Sequence, residues 1–333
     1  MNSINILTFN VCGLQQFNKR QQVFQYIQDK IGPNGIAFIQ ETHSTATDES
    51  QWTSEWKGNI LFSNYTSNAR GVAILFTKEC TFVPDKITRD TQGRIILASV
   101  QVNDKKLLLI NLYNNNDQKG QLETIATLNS LLEQHQYDEY LPVFAGDFNL
   151  IFGNNDYKFG CPSLKRKSLA EIIKLSEKLD VCDIYRIRFP EKCRFTFCQK
   201  RPLLLRRLDY IFIPNAIQEC VTKVDILPSS LSDHSPVFVT LCNEKVDGLR
   251  GKGYWKFNNN LLHEKEFVNK AKRIIAESNM TLEFDSAQLK WEMLKFRIAS
   301  FSRKYSKIRT KKLNKRQNEL ESIIEEYEIS GNT

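Results

Sequence analysis

The chain has no apolar run approaching the ~20 residues that a membrane-crossing helix requires. Its start, Met1-Asn2-Ser3-Ile4-Asn5, lacks the basic-then-apolar form of a secretory signal. A membrane-spanning segment is therefore not expected, and a cytosolic or nuclear location is. Histidine is scarce, with four residues, and none of the eight cysteines forms a C-x-x-C pair. Zinc binding is not expected, and the cysteines read as mostly buried free thiols of a reducing compartment. No internal repeat is found. From Asn260 to Ile329 glycine and proline are both absent.

What is present is a chain of 333 residues, 41% hydrophobic and 25% charged, enough for one large or two small domains with real cores. Residues 1–242 alternate between strands and a few helices. Buried strands are expected at 35–40 and 71–76, and a meander of antiparallel strands near 81–88, 94–103 and 105–112. Helices fit 18–31, 119–136 and 166–179. Later strands fit 141–146, 194–198, 207–213, 220–227 and 236–241. This order suggests an α/β fold of two packed sheets with helices outside, not a doubly wound parallel sheet.

After Leu241 the texture changes. Residues 243–260 read as a Gly- and charge-rich linker, and 261–333 as a basic helical extension carrying apolar residues such as Trp291, Leu294 and Ile298 at helical spacing. The net charge of +8 resides mainly there: residues 245–333 hold 19 Lys and Arg against 12 Asp and Glu. Eight basic residues and no acid lie between Arg303 and Arg316. Such a run suits a polyanion, RNA as well as DNA. It is equally compatible with a solvated helical face. No obligate protein partner is indicated.

Polar residues at strand ends, held near solvent by a rigid sheet, are the candidates for chemistry. They are Asn10, Glu41 within Gln40-Glu41-Thr42-His43, the segment Gly146-Asp147-Phe148-Asn149, Asp209 within Leu208-Asp209-Tyr210, and Ser232-Asp233-His234. Singly, an Asp-x-Asn after a strand is most often a turn. Asp209 in an alternating apolar stretch demands a partner. Together the set offers carboxylates for a hard cation, one histidine with a candidate carboxylate orienter, and several amide donors. Phosphodiester cleavage needs this inventory.

The order Asn10-Val11-Cys12-Gly13, Gln40-Glu41-Thr42, Leu112-Tyr113, Gly146-Asp147-Phe148-Asn149, Leu208-Asp209-Tyr210 and Ser232-Asp233-His234 resembles the endonuclease/exonuclease/phosphatase superfamily over residues 1–242. The resemblance implies a four-layered α/β sandwich with the site where the strand ends of two sheets meet. It implies Glu41 as principal ligand of Mg²⁺ (with Mn²⁺ as a substitute), aided by Asp233. Asp147 would align or deprotonate the attacking water. Asn149 and Asn10 would bind the phosphate and the metal shell, and His234, oriented by Asp209, the scissile phosphate. Tyr113 and Asn116 resemble the pair touching phosphate and leaving group, and Ser232 a further substrate contact. Repair enzymes of this type usually carry Asp two residues after the first Asn. Here that position is Cys12, a poor Mg²⁺ ligand.

Two further segments resemble the endonuclease of vertebrate LINE retrotransposons. Arg194-Phe195-Thr196-Phe197, with Lys200, Arg201, Arg206 and Arg207, is similar to a basic hairpin at the DNA groove. Tyr254-Trp255-Lys256-Phe257 and the basic helices are similar to the segment before a reverse transcriptase, of which no signature occurs in the 333 residues. The resemblance implies a nuclear, Mg²⁺-dependent endonuclease nicking duplex DNA to leave a 3′-hydroxyl for target-primed reverse transcription. The alternatives are an abasic-site endonuclease or 3′–5′ exonuclease of repair, and an inactive nucleic-acid-binding remnant. Phosphatases acting on lipids share the fold but not the hairpin.

Overall fold

In a computed structural model of the protein, the described residues are 3–102, 105–135, 137–160, 165–242, 257–281 and 287–330. The chain begins with β1 (Ser3–Asn10), α1 (Phe17–Ile31), β2 (Gly35–Gln40), α2 (Glu49–Trp56), β3 (Asn59–Ser63) and β4 (Val72–Phe76). The meander β5 (Phe82–Arg89), β6 (Ile95–Val102) and β7 (Lys105–Tyr113) follows, then α3 (Gln118–His135) and β8 (Leu141–Asp147). Next come β9 (Tyr157–Lys158), α4 (Arg166–Lys178), β10 (Val181–Asp183), α5 (Ile184–Arg188), β11 (Phe197–Lys200), β12 (Leu203–Arg206), β13 (Asp209–Pro214), β14 (Val221–Ile226) and β15 (Val237–Cys242). The strands form two six-stranded mixed sheets, ordered β14-β15-β1-β2-β4-β3 and β10-β13-β8-β7-β6-β5, and a three-stranded sheet β11-β12-β9.

Two-residue periodicity explains both the layers and the site. In β1, Ile4 and Ile6 belong to the core between the large sheets, while Leu7 and Phe9 pack with Val23, Ile27, Trp52 and Trp56 of α1 and α2. In β8, Val143 and Ala145 face the inter-sheet core, while Phe144 packs with Leu128 and Ile172 of α3 and α4. In β13, Ile211 and Ile213 face inward while Tyr210 and Phe212 join that outer cluster. Alternate residues share a face. Extending the inward rows by two gives Thr8 and Asn10, Asp147, and Asp209. The polar residues of the site thus continue the apolar rows of the inter-sheet core.

The chain divides into two compact units, Met1–Asp247 and Gly248–Thr333. In the second, α6 (Lys265–Thr281) and α7 (Ala287–Ser330) pair through Phe267, whose ring lies 5.2 Å from those of Phe301 and Tyr305. Glu264 accepts from Tyr305 Oη at 2.9 Å and pairs with Arg309. Most of the expected linker lies outside the described residues. None of the described helices is long and apolar enough to cross a membrane. The thiols depart from expectation: of those described only Cys80 is buried, and Cys12 and Cys193 are exposed. Cys161 is outside the described residues.

Candidate active site

Register aligns the site within each sheet. On the parallel pair β7–β8 Tyr113 stands opposite Asp147, and on the antiparallel pair β8–β13 Asp147 stands opposite Asp209. The pairing requires Gly146: a Cβ there would lie 1.9 Å from the Leu112 carbonyl oxygen, at φ +146°. Two carboxylates directly opposite each other repel and need a cation. His234 supplies one partner, its Nδ1 lying 2.7 Å from Asp209 Oδ2.

From the other sheet, Asn10 and Gln40 are opposite each other on β1–β2, and Glu41 follows Gln40. A buried polar pin fixes the sheets at this height. Gln40 donates to Asn111 Oδ1 at 2.7 Å, and Asn111 donates to the Ile39 and Ala73 carbonyls at 3.1 and 2.8 Å. Asn10 then bridges the gap, its Nδ2 donating to Glu41 Oε1 at 2.9 Å and to Asp147 Oδ2 at 3.0 Å. Asn149 donates to Asp147 through its backbone amide at 2.9 Å and its side chain at 3.3 Å. Cys12, Glu41, His43 and Asn149 all adopt positive φ, from 50° to 57°. Left-handed non-glycine residues cost of order 1–3 kcal/mol each and gather at functional sites.

The electrostatics divide the acids. Burial alone would raise the pKa of Glu41, but the polar neighbours His43, Asn10 and Tyr113, with Asn10 donating at 2.9 Å, outweigh it and bring it down to about 2. Asp147 goes the other way: burial, and then the Asp209 charge, raise it despite His234, Asn10 and the Asn149 amide. Burial would lower the His234 pKa, yet Asp209 foremost lifts it to about 10. Burial and the Glu41 charge hold the Tyr113 phenol protonated. Asp147, Asp209 and His234 offer ligand atoms within 4.8 Å of one another. Asp209 Oδ1 is buried without a hydrogen-bond partner.

The structure brings together Asn10, Glu41, Tyr113, Asp147, Asn149, Asp209 and His234. Ser232 lies beside them, its Oγ donating to the Asn10 carbonyl at 2.8 Å and accepting from the His234 amide at 3.2 Å. Asp233 is exposed next to it. Asn116, Arg206 and Asn149 border a cavity of about 390 Å³ with Lys165 and Arg166. Lys200 and Arg201 are exposed at the turn of the β11–β12 hairpin.

Two expected substrate contacts are buried. Arg207 is 1% exposed and pairs with Asp156 and Asp183 at 2.7 Å each, in the two-residue link between β12 and β13. Thr196 is equally buried and its hydroxyl accepts two backbone amides. Sequence reasoning missed three residues. His43 Nε2 lies 3.7 Å from Glu41 Oε2, Arg94 lies over the Tyr113 ring at 4.9 Å, and Lys165 donates to the Asn149 carbonyl at 3.0 Å. Only His43 left a signal, its place two residues beyond Glu41.

The chain is 27% identical over 270 residues to the uncharacterized 149 kDa protein of transposon TX1 from Xenopus laevis, covering 80% of this chain and 20% of that protein. It thus spans about a fifth of the length of that relative. Among solved structures it is similar to the AP endonuclease LMAP from Leishmania major (15% identity, TM-score 0.60, 73% of this chain and 88% of that one). It is also similar to the 3′ phosphatase NExo from Neisseria bound to product DNA hairpin (22% identity, TM-score 0.58, 72% and 99%). At these identities the structural likenesses establish the fold, the four-layered sandwich. The family match covers residues 7–234, well over half of the sequence, and the chain belongs to the endonuclease/exonuclease/phosphatase family.

Proposed function

We propose that the chain is a divalent-cation-dependent DNA endonuclease that nicks target DNA and leaves a 3′-hydroxyl to prime reverse transcription. The observation that carries the chemistry is the single row Tyr113–Asp147–Asp209, closed by His234 on one side and bridged by Asn10 to Glu41 on the other. The likeness to a transposon protein supports the biological setting.

The donors fit a hard cation: Glu41 is held anionic beside the Asn10 amide, with oxygen as the ligand atom. Glu41 would hold Mg²⁺, with the exposed Asp233 as a further oxygen donor. Such a cation, when bound, would neutralise phosphate charge and polarise the phosphorus. Asp147, fixed by Asn10 and Asn149 and made more basic by burial, aligns the water and takes its proton. The water oxygen bonds to phosphorus as the P–O3′ bond breaks, giving a 3′-hydroxyl and a 5′-phosphate. The His234 imidazolium, charged through Asp209, stabilises the charge developing on the phosphate oxygens. Tyr113, a neutral phenol beside Glu41, serves the phosphate and the departing oxygen as a donor.

Nicking of supercoiled plasmid tests the assignment. Glu41→Ala, Asp147→Ala and His234→Ala should each lower the rate by ~10²–10⁴-fold. Full activity in any of them overturns it. A strong preference for an abasic oligonucleotide over an intact A/T-rich duplex would instead favour a repair nuclease.

A further inference from the structure

Thr196 sits between the two halves of the Asp209–His234 pair. Its Oγ1 accepts the amides of Leu208 at 2.9 Å and Asp209 at 3.1 Å, where β13 begins. Its carbonyl accepts the amide of Ser235 at 2.6 Å, directly after His234. Its own amide donates to the Arg206 carbonyl at 2.9 Å, at the end of β12. One residue therefore ties together the strand that bears the carboxylate, the loop that bears the imidazole, and the hairpin. The connection continues through its neighbours. Phe197 forms a backbone bridge with His234 and sets its ring 5.1 Å from the imidazole, and the Cys198 amide donates to the Asp233 carbonyl at 3.1 Å. At 1% exposure Thr196 presents nothing to DNA.

We propose that Thr196 is a positioning residue, fixing Asp209 against His234 and acting on the reaction only through that pair. This rests on the assignment of Asp209 and His234 to the chemistry. Removing the hydroxyl leaves two buried amides without an acceptor, so the start of β13 must shift. The 2.7 Å contact between Asp209 and His234 moves with it.

Thr196→Val deletes the acceptor and keeps the volume, whereas Thr196→Ser keeps the acceptor. In the full chain, the valine variant should lose about tenfold or more in kcat at a KM changed by no more than about twofold, since small displacements of reacting groups cost rate rather than binding. The serine variant should stay near wild type. The proton signal of His234 Nδ1–H, far downfield when bonded to Asp209, should be lost or move upfield in the valine variant and persist in the serine variant. Should the valine variant not fold, Thr196→Ala takes its place in the same comparison. An unchanged kcat and signal without the hydroxyl overturns the proposal, as does a rise in KM alone, which would mark a DNA contact. Equal losses in the serine and valine variants overturn it too. The proton signal needs no turnover, so the two claims separate. A signal lost with the hydroxyl, in a protein that never cuts DNA, sustains the positioning and sinks the nuclease.

Discussion

At the scale of single residues, charge placement governs the account. His234 has its pKa raised to about 10 by Asp209 against the effect of burial. A group whose folded value lies above its unfolded one contributes stability fully below the unfolded value, ~6.5 for histidine, and loses it as pH rises through the folded value. Both the fold and the imidazolium should therefore weaken as pH climbs towards 10. Asp209→Asn removes the lifting charge, so the alkaline limb of the pH–rate profile should move down by more than one unit from that of the wild type. A limb that stays in place would show that His234 is not the titrating group. The residues behind this were legible because their types and order are unusual together. Their charge states were not, because burial and opposing partners come from segments 137 and 25 positions apart in sequence.

At the scale of elements, periodicity was the legible part. The expected helices at 18–31, 119–136 and 166–179 match α1, α3 and α4, and the antiparallel meander is β5–β7. The short α2, β3 and β10 were not foreseen, since eight, five and three residues are too few to establish either period. The hairpin was half legible. Its tip carries Lys200 and Arg201 outward. Arg207 points inward onto Asp156 and Asp183, with its guanidinium 4.4 Å from the Tyr210 ring, and a pair of arginines does not announce which one turns to buried acids distant in sequence. Removing one partner of a buried ion pair costs roughly 3–5 kcal/mol. Arg207→Ala should therefore lower Tm markedly, whereas Arg201→Ala should leave Tm nearly unchanged and weaken DNA binding. An Arg207→Ala protein of normal Tm with weakened DNA binding would reinstate it as a DNA contact.

At the scale of the whole molecule, the basic excess lies in the second unit and the chemistry in the first. Each Lys or Arg that displaces a counterion from DNA steepens the dependence of log K on log salt. Residues 1–247 should thus bind duplex DNA with a shallower salt slope than the full chain, and equal slopes would mean that the basic run of α7 is only a solvated face. The bond that is cut defines the activity. Supercoiled plasmid incubated with the full chain and Mg²⁺, then offered directly to a DNA polymerase, reports the chemistry of the nick. The expected result is an open circle extended without prior end repair, and no nick at all in EDTA. A nick that blocks extension until a 3′-phosphate is removed, or one that forms in EDTA, would contradict the account.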